Sequence, residues 1–164
     1  MKEKGTIMCK LTGIGLGILL LTVSAQAQTA SDLEGAYHRV SLTNVRTGKS
    51  PEAANRRGLL ILSHGHYSMM TMNPDRRFVP DDEIAALPLA EQVDYYREWL
   101  DINGHAGRYE ADGETLTWYR DISENPREVG SVSTLGYEWR DDLLVIYFTL
   151  PNGDRYDWTW RRIN

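Results

Sequence analysis

The sequence predicts an all-β protein: an eight-stranded antiparallel up-and-down barrel with one amphipathic helix between its third and fourth strands. Three observations carry that expectation. From Gly35 onward, short apolar or alternating runs are punctuated by turn pairs, the pattern of a meandering sheet. Asp112-Gly113 and Asn152-Gly153 read as two-residue type I′ hairpin turns, with His64-Gly65 as a weaker third, histidine being among the residues that tolerate positive φ. The chain also holds five Trp and nine Tyr. A sheet with one bulky aromatic face cannot leave it wet, and closing the sheet on itself also removes its edges. The competing architecture is a two-sheet sandwich with the helix on one side.

The first 27 residues read as a cleaved signal peptide. Lys2, Lys4 and Lys10 precede or flank the start of an apolar run from Leu11 to Ala25, too short to span a bilayer and stay, and Ala25-Gln26-Ala27 supplies a small-x-small cleavage pattern. Residues 28–164 then form a single domain with one core, expected in the periplasm or outside the cell with no stable membrane anchor. Cys9, the sole cysteine, leaves with the signal, so no disulfide is available and stability rests on burial. Cleavage removes three lysines and one glutamate, taking the net charge from −5 to about −7, which argues against nucleic acid as a partner.

Strands are expected near 35–42, 57–63, 66–72, 105–111, 114–121, 131–139, 143–150 and 155–162. The polar stretch TNVRTGKSPEAANRR separates the first two. NPDRRFVPDDEIAALP, with three prolines, reads as a long loop or lid at 73–88. After Pro88, the positions Leu89, Val93, Tyr96 and Leu100 follow a helical spacing, with Gly104 as a stop.

The stretch HGHYSMMTM at 64–72 raises the question of a soft-metal site. A hairpin turn at His64-Gly65 would put His64 at the tip and His66 at the start of the next strand. His66 to Met72 is six residues, roughly 20 Å at 3.3 Å each, so one ion cannot bridge it. No metal and no other cofactor is expected.

Hairpin register assigns the faces. Around Asp112-Gly113, Tyr109 would oppose Leu116 and Gly107 would oppose Trp118, an inward set in which the glycine leaves room for the indole. Arg108 and Glu110, opposite Thr117 and Thr115, would face out. Around Asn152-Gly153, Tyr147 would oppose Trp158 and Val145 would oppose Trp160, the aromatic side being inward. Around His64-Gly65, Leu62 pairs with Tyr67 and Leu60 with Met69, both inward.

The stretches LEGAYHRVS at 33–41, RRGLLILSHGHYSMMTMNPDRR at 56–77, YREWLDINGHAGRYEADGETLTW at 96–118 and GYEWRDDLLVIYF at 136–148 resemble the lipocalin-like domain family of bacteria and fungi, in the broad calycin sense. The resemblance implies an up-and-down barrel around a small apolar cavity. It also implies a C-terminal cation over an aromatic ring near the start of the first strand. Because Gly35-Ala36-Tyr37 stands where such barrels carry Gly-x-Trp, that contact would here be Arg161 or Arg162 over a tyrosine.

Catalytic signatures are scarce. There is no Gly-rich phosphate loop, His-Glu-x-x-His or Gly-x-Ser-x-Gly. His38 and His105 read as surface or rim residues. Arg120 continues the inward Leu116, Trp118 series and could anchor an anionic head group inside one end of the barrel, or else reach out to solvent. The expected function is binding of a small hydrophobic or amphipathic molecule by Tyr37, Tyr67, Met69, Tyr109, Trp118, Arg120, Tyr147 and Trp158. The alternatives are a filled barrel serving as an interaction module, and a barrel enzyme of isomerase or cyclase type.

Overall fold

The computed structural model describes residues 30–51 and 55–164. The signal segment and its cleavage site lie outside them. After a 3₁₀ turn at Ala30–Leu33 the order is β1 (Gly35–Asn44), β2 (Arg57–Ser63), β3 (His66–Met72), α1 (Asp81–Ala86), α2 (Leu89–Trp99), β4 (Ile102–Asp112), β5 (Thr115–Ser123), β6 (Val132–Arg140), β7 (Leu143–Thr149) and β8 (Arg155–Arg162). Each strand pairs antiparallel with the next, and β8 pairs back onto β1, so the sheet is a closed barrel and not a sandwich.

Turn chemistry sets each register. His64 and Gly65 both have positive φ, 49° and 74°, and form a two-residue turn that pairs Ser63 with His66, Leu62 with Tyr67 and Leu60 with Met69, as expected. His64 Nδ1 then lies 2.8 Å from Ser63 Oγ, and His66 Nδ1 lies 3.1 Å from the His64 carbonyl oxygen. The β4–β5 turn differs from expectation. Its loop is Gly113-Glu114, with positive φ at Gly113 alone (59°), the pattern of a type II′ turn. Asp112 therefore pairs with Thr115, and Tyr109 faces Trp118 where Leu116 was expected. The slide preserves the alternation, so Tyr109, Leu116 and Trp118 remain buried.

The β7–β8 connection overturns its expected register. The strands stop at Thr149 and restart at Arg155, and the five-residue loop pairs Ile146 with Trp158 and Leu144 with Trp160. This one-residue shift turns Tyr147 outward, opposite Asp157, with the Arg155 guanidinium 3.7 Å above its ring. Ile146 and Leu144 take the inward places. Val145 is also buried, on the outer face beside the ion pairs that link Arg140 and Arg155 to Glu138 and Asp157.

The end of the barrel where β1 begins is plugged. Leu33 is fully buried, and the Tyr37 hydroxyl donates to its carbonyl oxygen at 2.6 Å. Arg162 Nη2 donates to the Tyr37 hydroxyl at 2.8 Å and to the Asp32 carbonyl at 2.7 Å. Its guanidinium lies 5.4 Å from both the Tyr37 and Trp139 ring centres, which places the expected C-terminal cation as Arg162. Tyr37→Phe would strand a buried carbonyl and weaken the hold on Arg162. The expected loss is about 1–3 kcal/mol in urea unfolding, whereas a change below about 0.5 kcal/mol would mean the plug is held by packing alone.

Between β3 and β4 the expected loop and helix are two helices, α1 falling inside the stretch read as loop. The apolar stripe of α2 does not pack on the barrel: Leu89 (75%), Val93 (39%), Tyr96 (53%) and Leu100 (77%) are solvent-exposed, while Tyr95 is the buried residue of the helix. The segment is held largely by itself. Arg77 pairs with Glu98 at 2.8 Å, Trp99 Nε1 donates to the Arg77 carbonyl at 3.2 Å, and Arg76 lies over the Trp99 ring. Asp101 ties it to Arg56, at 2.6 Å.

Candidate functional site: a cationic, aromatic cavity at the open end

At the end of the barrel opposite the plug lies a cavity of about 360 Å³. Its wall on β4 and β5 carries an irregularity in the ladder. Ala106 pairs with Ile122 but Gly107 pairs with Arg120, so Asp121 is the extra residue of a bulge, beyond which the ladder resumes to His105 and Ser123. The bulge is possible because residue 107 is glycine: a Cβ there would sit 1.9 Å from the Tyr119 carbonyl oxygen. Alternation along β4 and β5 then brings His105, Trp118 and Arg120 to the inner wall. Leu135, Phe148 and Trp158 line the apolar side, and Asn103, Ser133 and Glu128 the polar rim.

Arg120 is the charged centre of this cavity. Its side chain is only 14% exposed. Nη1 donates to Ser133 Oγ at 2.6 Å and to Ser131 Oγ at 3.2 Å, and the Glu128 carboxylate stands 3.4 Å from Nε without a hydrogen bond to it. The serines fix the guanidinium plane, so the cation is oriented before any ligand arrives.

Beside it, His105 Nδ1 lies 3.0 Å from the Tyr67 hydroxyl. The Trp118 ring stacks on Tyr67 at 4.8 Å and lies 5.1 Å from His105. Burial, reinforced by the Arg120 charge, pushes the His105 imidazole down to about 4, and burial pushes the Tyr67 phenol up to about 12. Both are neutral at ordinary pH. Among the described residues, no group of three or more His, Cys, Asp or Glu is placed to hold a metal ion.

Of the eight residues expected to bind, Trp118, Arg120 and Trp158 line the cavity. Tyr67 and Met69 are buried, Tyr67 against His105 and Trp118, and Met69 opposite His105 in the ladder. Tyr109 is buried opposite Trp118, Tyr37 belongs to the plug, and Tyr147 is on the outer surface. The sequence reading missed His105, which is 5% exposed within β4 and not on the rim. It also missed Phe148, Leu135 and the serine pair. An unbroken alternation of His105, Gly107 and Tyr109 was the available signal for the histidine. His38 is exposed, as expected.

A second hollow, about 420 Å³, lies on the outer wall of β1–β3, where Leu59, Ile61, Met70 and Met72 are joined by His38 and Arg57. It is the larger of the two, but it is a groove outside the barrel and lacks an anchored charge like Arg120.

The fold and site together define a closed up-and-down barrel, plugged at one end and hollow at the other around an oriented arginine. No family model, curated protein or solved structure matches the chain.

Proposed function

We propose that the protein is an exported, lipocalin-like barrel that binds a small amphipathic molecule with an anionic head at Arg120 and an apolar body against Trp118, Trp158, Leu135 and Phe148. The observation that carries this reading is the serine-held guanidinium inside an otherwise largely aromatic and aliphatic hollow. Fixing a cation there costs desolvation, and a ligand oxyanion would offset that cost more fully than the partly exposed Glu128 does. At the cavity His105 and Tyr67 are both held neutral near pH 7, so neither is tuned for proton transfer there.

Titration of the mature protein with decanoate and with decanol, followed by tryptophan fluorescence, tests the reading. Arg120→Leu should weaken decanoate by roughly 1–3 kcal/mol and leave decanol nearly unchanged. Glu128→Gln should act oppositely, tightening decanoate by on the order of 1 kcal/mol, because a competing carboxylate is removed. Equal losses for both ligands in Arg120→Leu would mean a damaged fold. No response to either ligand in the wild type would favour the interaction module. Export rests on residues 1–27 and predicts an N-terminus near Gln28 in protein recovered from the periplasm or medium.

A further inference from the structure

Among the described residues, two apolar surfaces are left uncovered, and their shapes are opposite. One is a ridge, the α2 stripe of Leu89, Val93, Tyr96 and Leu100. The other is the groove on the outer wall of β1–β3, in which Leu59 (40%), Ile61 (41%) and Met70 (46%) are exposed around Gly58 and Ser68. Monomeric proteins rarely leave contiguous patches of this kind unpartnered.

Charge distinguishes what can fill the groove. The groove is lined by Arg57 and His38 and by no acidic side chain. The segment 76–101 that carries the ridge has seven acidic residues against three cations; Asp94, Glu98 and Asp101 are ion-paired to Arg97, Arg77 and Arg56, and the surplus charge is that of Asp81, Asp82, Glu83 and Glu91. An acidic helical ridge and a groove with a basic rim attract at long range, and each repels its own kind. The helix cannot serve its own groove without losing its present anchors. Tyr95 is buried on its inner side, while Arg77–Glu98 and Arg56–Asp101 pin the segment with the stripe facing away.

We propose that the occupant is a second copy of this chain: α2 of each protomer lies in the β1–β3 groove of the other, giving a two-fold dimer with two identical helix-in-groove contacts. Both faces lie on the outside of the barrel, so the dimer leaves the mouth cavity unused and stands or falls apart from the ligand reading.

Sedimentation velocity of the mature protein across a concentration series tests this. Two variants change exposed positions only: a ridge variant, Val93→Lys with Tyr96→Lys, and a groove variant, Leu59→Asp with Met70→Asp. The wild type should sediment as a dimer and each variant as a monomer, with circular dichroism confirming that both remain folded. Mixing the two variants should restore a dimer at higher concentration, because each retains the face the other lacks, so one intact contact re-forms. A groove variant that stays dimeric would show that helices pair with helices, and a ridge variant that stays dimeric would show that grooves pair with grooves. Either result, or a wild type that is monomeric throughout, overturns the proposal.

Discussion

Gly107→Val is expected to destabilise the barrel by on the order of 3 kcal/mol or more, the upper range for forcing volume into a packed interior. A Cβ at this position would meet the Tyr119 carbonyl oxygen at 1.9 Å and the Asp121 amide nitrogen at 2.8 Å, both main-chain atoms of the adjoining strand. Neither can rotate away, so the only relief is to spread β4 from β5 at the bulge beside the cavity. Two comparisons isolate the cause. At Gly136 a Cβ would also clash, at 2.1 Å, but against the Tyr147 ring, which lies on the outer surface and can swing aside. Gly136→Ala should therefore cost less than Gly107→Ala. Arg108→Val removes an exposed contact 5.0 Å over the Tyr119 ring and should stay within about 1 kcal/mol. Urea unfolding that ranked Arg108→Val above Gly107→Val would refute the β4–β5 geometry.

Acidification should expose His105 as a large pH-dependent contribution to stability. In the unfolded chain its imidazole takes a proton near pH 6.5, while the folded site holds out to about 4. Between those values the unfolded state binds the proton and the native state does not, so stability is fully present above about pH 6.5 and falls as the pH drops toward 4. The shift corresponds to about 3 kcal/mol once both states are protonated. Glu98, Glu138 and Asp154, whose carboxyls are held low chiefly by their arginine partners, also cost stability in acid. Those losses are common to wild type and variant. His105→Gln should therefore be less stable than wild type at pH 7 by more than it is at pH 4.5, and parallel curves for the two proteins would place the histidine in solvent.

The strand count, the order of the strands and the closed ring were legible from turn pairs and alternation, because both are local signals. What failed was hairpin register, and it failed where a turn was misread. At Asp112-Gly113 the loop is one residue later than expected, which slides the ladder by two and leaves every side chain on its expected face. At Asn152-Gly153 the loop is five residues instead of two, and the odd shift sent Tyr147 out and Leu144, Ile146 and Phe148 in. His105 was hidden differently. Gly104, read as a helix stop, is an interior residue of β4, so the strand begins three residues earlier than expected and carries the histidine inside. The α2 stripe shows that helical periodicity reports an apolar face without saying that the same molecule covers it.

The closed ring also has a kinetic side. Seven of its eight strand pairs join neighbours in sequence, five of them across connections of two to eight residues. The pairing of β1 with β8 is different, since it brings Tyr37 to Arg162 across 125 residues. Closing that loop costs about 2 kcal/mol more chain entropy than closing a hairpin of ten residues, so the last seam has the least reason to form before the rest is in place. The same seam makes the Tyr37–Arg162–Leu33 plug. The Tyr37–Leu33 contact is local to the start of β1, but the floor is locked by Arg162 only when the ring closes, and a chain that has folded seven strands still has an open tube with an unlatched bottom.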